Sequence, residues 1–444
     1  MKIDMPADVR FIIEQLNNSG FEAYAVGGCV RDAILGRKPN DWDITTSATP
    51  YEVKEIFRRT IDTGIQHGTV TVMLKKNGYE VTTYRIDGEY TDHRRPDGVT
   101  FTRELSEDLL RRDFTINAMA YNEKDGLVDL YGGVQDLENK IIRCVGSPDD
   151  RFDEDALRIM RAVRFAAQLG FDIDPETREA ARKHAPEIEK VSAERVETEL
   201  TKLLLSAYPE KLLEMYDLGI TSVILPEFDR LIATEQNTPY HIYDVGRHTI
   251  EVIKNVPATK VMRYAALLHD MGKPECRTTD EKGIDHFKGH AHVSEKIAEQ
   301  ILRRLKMDND TIRDVKKLVY WHDYGINGNI TKKTIRRMLS NMGEEYFEGY
   351  AFLRKADIMG QSTYNRENSL ELLNQIIAYH DEIMQEGSAL KISDLAVGGG
   401  DLIAAGIKPG PEMGEILRNL LDRVLDEPDL NSREKLLEIV NNNL

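Results

Sequence analysis

The spacing of apolar residues changes along the chain. In the first 145 positions, short β-branched runs alternate with helical patterns: FIIEQLNNSG reads as an amphipathic helix ending at Gly20, and FEAYAVGG as a strand running into a glycine turn. The segment GTVTVMLKKNGYEVTTYRI has two β-branched runs around Asn77-Gly78, which predicts a hairpin turning at that pair. Residues 88–100 are polar, contain glycine and proline, and predict a mobile loop.

Beyond about residue 150 a helical period replaces the strand pattern. EDALRIMRAVRFAAQL is predicted as one helix, with Asp153 as a candidate cap and its end before Gly170. The glycine-rich stretch 397–414 is interpreted as a linker or loop before two last helices. The pattern predicts an α+β protein, a mixed α/β head on an all-helical remainder, divided at 1–145, 146–225, 226–390 and 391–444.

Composition fits this picture. The 444 residues are 41% hydrophobic and 30% charged, which is typical of a soluble globular chain of two to four domains. No apolar run approaches the roughly 20 residues that span a bilayer, and the start MKIDMPADVR lacks a signal-peptide core, so we expect a cytoplasmic protein without a membrane partner. Three scattered cysteines, Cys29, Cys144 and Cys276, argue against a disulfide framework or a cysteine-rich zinc site.

Charge limits the kind of nucleic-acid contact. The net charge of −17 disfavours a protein that coats nucleic acid indiscriminately, because neutralising phosphates requires an excess of lysine and arginine. A local basic groove on an acidic body remains compatible with this value. Any nucleic-acid partner is therefore expected to meet patches of positive charge.

The segment VGGCVRDAILGRKPNDWDI combines a glycine turn with two carboxylates. Gly27-Gly28 allows a ligand close to the backbone at the start of a helix, and Arg31 lies one turn further on, where its guanidinium can grip phosphate oxygens. Asp41 and Asp43 are two apart in a predicted strand, so both carboxylates point to one face. Trp42 and Ile44 are expected to face the core.

Two carboxylates on one face suit one or two Mg²⁺ ions, which prefer oxygen ligands and bridge to substrate phosphates. Glu80, on the hairpin strand YEVTTYR, is the candidate for a third carboxylate. The alternative for Glu80 is an ordinary solvated strand residue. An Asp-x-Asp or a Gly-Gly alone is common by chance, so the combination carries the prediction.

Six segments in this order resemble the class II tRNA nucleotidyltransferase and bacterial poly(A) polymerase family. They are GGCVRD, DWD, RRDFTINAMAYN, DLYGGVQDLENKIIR, RFDEDALRIMRAVRFAAQLGF and ERVETELTKLL. The resemblance covers residues 1 to about 230 in order. It implies a polymerase-β-like head, with Gly28, Arg31 and Arg112 near the nucleotide triphosphate and Asp41, Asp43 and Glu80 at the catalytic Mg²⁺. Asp113 and Asn117 are expected to brace the turn between head and neck.

The family's E-D-x-x-R motif corresponds here to Asp155 and Arg158. By the resemblance, this pair presents a protein template to the incoming base: the carboxylate accepts from the exocyclic amine of cytosine or adenine, and the guanidinium donates to a ring nitrogen or carbonyl. Arg161 and Arg164 follow at intervals of three on the predicted helix, beside an apolar stripe. They are expected near phosphates or the sugar, or else on a merely solvated charged face.

The resemblance implies CTP and ATP as substrates and the tRNA 3′ end as acceptor. A loop like GEYTDHRRPDGVTF accompanies, in the family, the ability to add A after CC, although Arg94 and Arg95 equally suit RNA contacts or a plain surface loop. An A-adding enzyme or a poly(A) polymerase shares almost every motif, but a polymerase is favoured by a basic tail, and this chain ends acidic. The tail itself offers no chemistry.

A second constellation lies in NTPYHIYDVGRHTIEVI, YAALLHDMGKP and FLRKADIMGQS, which resemble the HD metal-dependent phosphohydrolase superfamily. His248, His269, Asp270 and Asp357 match its ligand set, and His290, His292 and His322 supply further histidines. Such a donor mixture suits a divalent transition metal better than Mg²⁺. The resemblance implies hydrolysis of 2′,3′-cyclic phosphates or other phosphoesters. The alternatives are a helical scaffold that has lost activity, or a chain in which this activity is the main one.

Overall fold

The computed structural model describes residues 2–88, 98–325 and 330–442. The chain forms two compact units, Met1–Pro226 and Glu227–Leu444, called unit 1 and unit 2 below. Unit 1 contains a mixed sheet with helices, and unit 2 is almost entirely helical. The α+β class is therefore confirmed, while the four-domain division stays a prediction.

Strands are short throughout and concentrate in unit 1. In chain order they are β1 (Ala23–Val26), β2 (Ile44–Thr46), β3 (Thr60–Gly64), β4 (Thr69–Leu74), β5 (Asn77–Thr83), β6 (Arg85–Asp87), β7 (Val99–Phe101), β8 (Met119–Asn122), β9 (Gly126–Asp129), β10 (Ile141–Ile142), β11 (Asp172–Ile173), β12 (Thr278–Thr279) and β13 (Asp285–His286). The main sheet has the order β3-β4-β5-β2-β1-β8-β9. Only its β2–β5 pair is parallel. Every residue of β1 is buried near the centre of this sheet, which explains its uninterrupted apolar sequence AYAV.

The predicted hairpin is present, but its turn lies two residues earlier than predicted. Leu74 pairs with Asn77, so the turn residues are Lys75 and Lys76, and Lys75 takes a φ of 55°. Gly78 lies inside the ladder. An added Cβ there would come 2.8 Å from a side-chain carbon of Thr71, so this glycine serves close strand packing rather than the turn.

Side-chain pairing explains the earlier turn. The observed register places the buried Val70 opposite the buried Val81. A turn at Asn77-Gly78 would instead place Val70 opposite Arg85. Burial of the two valines against each other outweighs the local turn preference of an Asn-Gly pair.

The predicted loop 88–100 is bounded by strands, because β6 pairs with β7. Val99 and Thr100 are therefore strand residues, which the loop prediction missed. Residues 89–97, including Arg94 and Arg95, lie outside the described residues.

The helices of unit 1 pack around the sheet and then continue as a helical extension. They are α1 (Ala7–Asn18), α2 (Gly28–Ile34), α3 (Pro50–Ile56), α4 (Leu105–Leu110), α5 (Gly133–Asn139), α6 (Pro148–Glu154), α7 (Leu157–Leu169), α8 (Pro175–His184), α9 (Ala193–Leu204), α10 (Leu212–Asp217) and α11 (Ile220–Ile224). Helix α1 ends before Gly20, as predicted. Helix α7 ends at Gly170, whose φ of 72° is the left-handed conformation that glycine adopts easily.

The predicted single helix over EDALRIMRAVRFAAQL is wrong. The chain leaves helical geometry at Asp155, with φ −149° and ψ 102°, so α6 and α7 are separate. Ser147 caps α6 and is followed by a proline, so Asp153 lies in its last turn and is not a cap.

Helix α12 (Pro226–Ile232) marks the boundary, and unit 2 contains α13 (Val245–Asn255), α14 (Lys260–Leu268), α15 (Lys273–Cys276), α16 (His290–Arg304), α17 (Asn309–Trp321), α18 (Lys332–Met342), α19 (Phe347–Gly360), α20 (Arg366–Gln385), α21 (Gly399–Ala404), α22 (Pro411–Asp426) and α23 (Arg433–Asn442). Helix α21 lies inside the stretch 397–414 that was interpreted as a linker. Across the described ranges, every helix is too short or too polar to cross a membrane.

Candidate active sites

The metal-binding carboxylates predicted in unit 1 lie together. Asp41 and Asp43 precede β2, which begins only at Ile44, so the DWD segment is not itself a strand as predicted. The parallel register pairs Ile44 of β2 with Val81 of β5. Asp43 and Glu80, the residues just before this pair, therefore come side by side. All three carboxylate residues are exposed.

Two adjoining cavities meet at these carboxylates. A cavity of about 1030 Å³ is lined by Asp41, Asp43 and Glu80, and by the half-buried Trp42, which was expected in the core. A second cavity, of about 160 Å³, is lined by Asp43 and Glu80 together with arginine side chains. We call the two together the cleft. It is large enough for a small molecule and has oxygen donors at its centre.

The arginines of the cleft are Arg85, Arg111 and Arg112. Loss of hydration in the cleft raises the pKa of the Asp43 carboxyl, while the charge of Arg112 opposes the rise and that of Asp41 adds to it. Negative charge at Asp43 is thus costly unless cations are nearby. This is the electrostatic situation expected of a site that accepts a metal ion.

A fully buried carboxylate, Asp108, fixes two of these arginines. Its Oδ1 accepts hydrogen bonds from Arg111 at 3.0 and 2.7 Å, and its Oδ2 accepts from Arg112 at 3.5 Å. Thr45 donates to the same Oδ2 at 3.1 Å. Because Thr45 follows Asp43 by two residues, Asp108 joins the arginines to the segment that carries the carboxylates.

The glycine turn lies beside the same arginines. Gly27 has a φ of 81°, and an added Cβ there would come 3.0 Å from Arg112 NH1, so a side chain at this position would displace the guanidinium. Gly28 begins α2. Arg31 is only 8% exposed and donates to Asp32 at 2.8 Å and to Asn117 at 2.7 Å, so its guanidinium is held inside the fold rather than presented to the cleft.

Asp155 lies at the break between α6 and α7, away from the helical face on which it was predicted. Its Oδ1 accepts from the backbone N–H of Leu157 at 3.1 Å, and its Oδ2 accepts from Arg195 at 2.7 Å. The first contact stabilises the start of α7, and the second ties the break to α9. The sequence contains no local sign of the Arg195 contact, because the two residues are 40 positions apart.

Arg158 lies on the first turn of α7 and is also fixed. It pairs with Glu154, and donates to the backbone carbonyls of Arg151 and Arg111, both at 3.2 Å. The contact with Arg111 connects the segment that carries the base-reading candidates to the arginines of the cleft. Arg158 is therefore one contact away from an arginine that lines the cleft.

Arg161 and Arg164 are held by acidic partners within unit 1. Arg161 donates to Asp113 at 2.8 and 2.6 Å, and Arg164 donates to Glu199 at 2.8 Å and stacks on Phe165, 3.5 Å from the ring centroid. The Arg164 side chain is 6% exposed. This burial argues against its predicted place near phosphates or the sugar.

Asp113 lies at the centre of this network. Burial opposes its ionisation, but the charge of Arg161 and the hydrogen bonds from Asn117 and Arg161 outweigh it and hold the pKa of Asp113 well below its usual range. Asn117 in turn accepts from Arg31. The chain of contacts from Arg31 through Asn117 and Asp113 to Arg161 fits the bracing role predicted for Asp113 and Asn117.

In unit 2, the second predicted ligand set is brought together by separate helices. His248 lies on α13, His269 and Asp270 directly follow α14, and Asp357 lies on α19. All four are at least 95% buried. His248 Nε2 lies 3.0 Å from Asp357 Oδ1, and His269 Nε2 lies 3.1 Å from Asp270 Oδ2.

Two further histidines join this histidine cluster. His290, at the start of α16, and His322, after α17, point their Nε2 atoms at Asp270 Oδ1, 3.3 and 3.7 Å away. His292 does not join them, since its side chain is 58% exposed and lies near Glu295. The donors form two groups with all ligand atoms of a group within 4.8 Å: His248, His269 and Asp357, and Asp270, His290 and His322.

The ring orientations suit metal binding. Each histidine of the cluster has its Nδ1 within hydrogen-bonding distance of a backbone carbonyl, at Gly360, Ala266, Phe287 and Val319 respectively, with distances from 2.7 to 3.3 Å. Donation from Nδ1 leaves the Nε2 lone pairs of His248 and His269 directed inward, whereas the Nε2 atoms of His290 and His322 lie 3.1 Å from each other. Among the described residues, His248 Nε2 and His269 Nε2 are buried without a hydrogen-bond partner. Buried nitrogen atoms of this kind are what a transition metal would satisfy.

The surroundings keep the carboxylates of the cluster ionised. Burial opposes the charge of Asp270, but His269 and Lys273 hold the pKa of this carboxyl well below its usual range. For Asp357, the His248 ring 3.0 Å away and the charge of Arg354 likewise outweigh burial and lower the pKa. Nearby, burial next to Lys273 lowers the pKa of His241 to about 2, so this ring is neutral.

The sequence analysis did not predict three residues that hold the candidate site residues in place: Asp108, Arg195 and Lys273. Asp108 had a usable signal, because it lies three and four residues before Arg111 and Arg112, the spacing of neighbours on a helix. The sequence offered less indication of Arg195 and Lys273, because each binds a residue of a distant segment, Asp155 and Gln236 respectively.

Three family models match successive parts of the chain. Residues 23–143 match the "Poly A polymerase head domain" model, and residues 170–232 match the "Probable RNA and SrmB- binding site of polymerase A". Residues 278–440 match the tRNA nucleotidyltransferase domain 2 model.

Similar proteins extend over nearly the full chain. The CCA-adding enzyme of Leuconostoc mesenteroides is 35% identical over 430 residues, covering 97% of this chain and 94% of that protein. The CCA-adding enzyme of Levilactobacillus brevis is 36% identical over 432 residues, covering 97% and 96%.

Solved structures agree in fold. The Bacillus stearothermophilus CCA-adding enzyme in complex with CTP superposes with a TM-score of 0.72 at 30% identity, covering 99% of this chain and 98% of that one. The Thermotoga maritima CCA-adding enzyme complexed with tRNA, at 20% identity and a TM-score of 0.62 over the whole of both chains, shares the fold. The chain belongs to the class II CCA-adding enzyme and poly(A) polymerase family.

Proposed function

We propose that unit 1 builds or repairs the 3′-terminal CCA of tRNA, transferring CMP and AMP from CTP and ATP without a nucleic-acid template. One observation carries the proposal: Asp43 and Glu80 lie side by side, Asp41 lines the same cleft, and Arg111 and Arg112 border it. The relatives named above carry the same assignment in their names. A tRNA substrate agrees with the cytoplasmic location expected from the sequence.

The donors fit a hard divalent cation, because three exposed carboxylates converge at the centre of the cleft. Asp41, Asp43 and Glu80 would hold Mg²⁺, which when bound lowers the pKa of the attacking hydroxyl and neutralises the leaving pyrophosphate. In the reaction, the tRNA 3′-hydroxyl oxygen gives up its proton to solvent and forms a bond to the α-phosphorus. The bond from that phosphorus to the bridging oxygen breaks, and pyrophosphate leaves.

The arginines bind the triphosphate in this proposal. Arg112 and Arg111 are held at the cleft by Asp108, so their charges are in place before the nucleotide arrives. Gly27 leaves the space beside the Arg112 guanidinium free of a side chain, and Gly28 does the same beside Arg31. Arg31 acts through its contacts with Asn117 and braces the turn, since it is buried.

Base choice is assigned to Asp155 and Arg158. A carboxylate offers about four acceptor positions, so Asp155 retains capacity for an exocyclic amine while it binds Arg195 and the start of α7. Cytosine and adenine share that amine, whereas uracil presents a carbonyl there. Arg161 and Arg164 support this region from inside through Asp113 and Glu199.

Three tRNA transcripts test the proposal: one that lacks CCA, one that lacks only the final A, and one that is complete. Each is incubated with Mg²⁺ and with CTP, ATP or both. Addition of CCA followed by a stop is the expected result. Extension of the second transcript alone would mean an A-adding enzyme, and continued addition of A would mean a poly(A) polymerase.

A second function is supported by the histidine cluster of unit 2. Six buried donors, including four histidines with inward Nε2 atoms, fit a site for one or two divalent transition metals. We propose that this site hydrolyses phosphoesters such as 2′,3′-cyclic phosphates, which would clear damaged tRNA 3′ ends before addition.

The test compares wild type with His269→Ala. Metal content is measured after reconstitution with Ni²⁺, Co²⁺, Mn²⁺ or Zn²⁺, and hydrolysis of 2′,3′-cyclic CMP is followed with each metal. The variant is expected to lose metal and hydrolysis while CCA addition continues. Retention of both metal and hydrolysis would contradict the assignment.

A further inference from the structure

Beside the histidine cluster lies a cavity of about 520 Å³, within the size range of small-molecule sites. Gln236, His241, Tyr243 and Arg277 are among its lining residues. His241 also lies against the cluster, with its ring centroid 5.0 Å from that of His248. The cavity therefore borders the residues that would hold the metal.

Tyr243 lines this cavity, and two further exposed tyrosines lie on its loop and on the loop bonded to it. Tyr240, Tyr243 and Tyr364 are 45%, 40% and 59% exposed, and we call them the tyrosine mouth. Tyr240 and Tyr364 contact each other edge to face, with ring centroids 5.3 Å apart. Large rings that remain exposed need a reason, because burying one contributes a favourable free energy of order 1.5–3 kcal/mol.

Two loops carry the tyrosine mouth and are joined to each other. The backbone N–H of Ser362 donates to the carbonyl of Tyr240 at 2.7 Å, and the Ser362 hydroxyl donates to the carbonyl of Pro239 at 2.6 Å. The tyrosines are thus held on a fixed backbone, which reduces the entropy lost when a ligand binds.

Each loop is also connected to a carboxylate of the cluster. Gln236 donates to the carbonyl of Tyr243 at 3.3 Å and accepts from Lys273, whose ammonium lies 2.8 Å from Asp270. On the other side, Gln361 donates to Asp357 at 3.1 Å. The loops that carry the tyrosine rings are thus joined to the metal-site carboxylates by hydrogen bonds.

We infer that the tyrosine mouth binds the base of a nucleoside phosphoester whose phosphate lies at the histidine cluster. The inference rests on the proposed phosphohydrolase activity and adds a binding site for the base. Aromatic side chains stack on any base, and such stacking does not require sequence recognition. Lys273, 2.8 Å from Asp270, supplies positive charge at the cluster, and Arg277 supplies it at the cavity, although it is shared with Asp285 at 3.0 Å.

Two of the three carboxylates that line the cavity are already engaged, and Glu235 is the third. Asp285 accepts from Arg277, from Thr279 at 2.7 Å and from the backbone of Asn237 at 2.8 Å. Asp244 caps α13 and accepts from the backbone of Arg247 at 2.7 Å. Stacking is therefore expected to contribute most of the affinity, and cytidine and adenosine compounds should bind alike.

Binding to the metal-free full-length chain tests the inference apart from catalysis. After treatment with EDTA, the protein is titrated with 2′,3′-cyclic CMP and, as a probe without a base, with ribose 5-phosphate. Tyr243→Ala and the double variant Tyr240→Ala/Tyr364→Ala are compared with wild type. Phe352→Ala is the matched control, because Phe352 is 42% exposed in the same unit but outside the two loops.

We expect the Kd for 2′,3′-cyclic CMP to rise about tenfold or more in the mouth variants, the loss typical of removing a stacked ring. The Kd for ribose 5-phosphate and the behaviour of Phe352→Ala should not change. Nucleotide bound by unit 1 contributes equally to all variants, so the difference between them reports on unit 2. Unchanged Kd values, or equal losses for both probes, would overturn the inference.

A hydrolysis assay distinguishes failure of the base-binding inference from failure of the proposed phosphohydrolase function. If the metal-loaded wild type hydrolyses neither 2′,3′-cyclic CMP nor ribose 5-phosphate, the phosphohydrolase proposal fails, whereas a base-dependent Kd in the metal-free chain still supports nucleoside binding at the mouth.

Discussion

The buried carboxylate of Asp108 offers a direct test of how the cleft of unit 1 is built. Asp108→Asn keeps the shape of the side chain and removes its charge. Arg111, with its bonds at 3.0 and 2.7 Å, and Arg112 then lose the negative charge that they share. Breaking a buried ion pair from one side costs about 3–5 kcal/mol.

We expect the lower end, about 3 kcal/mol of the free energy of unfolding, because Asn retains one oxygen acceptor and the two arginines regain some hydration. The arginine side chains are 18% and 20% exposed. For catalysis, losing one well-placed donor to developing negative charge typically costs 10²–10³ in kcat. Since the arginines are displaced rather than removed, we expect a loss of about 10² in kcat/KM for CTP and ATP alike.

The assay measures initial rates of CMP and AMP incorporation at a temperature where urea titration shows the variant to be folded. Glu107→Gln is the matched control: it changes another carboxylate of α4, one that binds Thr102. The KM for tRNA should stay constant while the KM for both nucleotides rises. Wild-type kcat/KM in folded Asp108→Asn, or a loss confined to one nucleotide, would refute the idea that Asp108 positions the arginines.

Three further predictions concern the same unit. Asp41→Ala or Asp43→Ala should abolish incorporation without unfolding the chain, and near wild-type addition would contradict the metal assignment. Arg158→Met should lower the preference for CTP over UTP more than it weakens triphosphate binding, as measured by the ratio of kcat/KM values; equal selectivity would count against the template role. Because Asp113 has a depressed pKa when folded, its stabilisation is complete above its unfolded pKa of about 3.9 and is lost as pH falls toward the folded pKa. The melting temperature of Asp113→Asn should therefore depend less on pH between 5 and 3 than that of wild type, and parallel curves would argue against this source of stability.

Local patterns in the sequence were sufficient for the fold class and the hairpin strands, because they depend on nearest neighbours and on chain geometry. The same geometry indicated that Asp41, Asp43 and Glu80 lie close together, although the two aspartates precede a strand and are not part of one. The set His248, His269, Asp270 and Asp357 was expected only from the resemblance to the HD superfamily.

The tertiary structure decided the features that depend on contacts between distant residues. The hairpin turn moved to Lys75-Lys76 because two buried valines pair across the strands. The helix broke at Asp155, where Arg195 and the start of α7 bind the carboxylate. Arg31 and Arg164, predicted to contact a nucleotide, were taken into the interior by Asn117 and Glu199. A sequence states which groups carry charge, but packing determines which partner neutralises each one, and therefore which charges remain at the site.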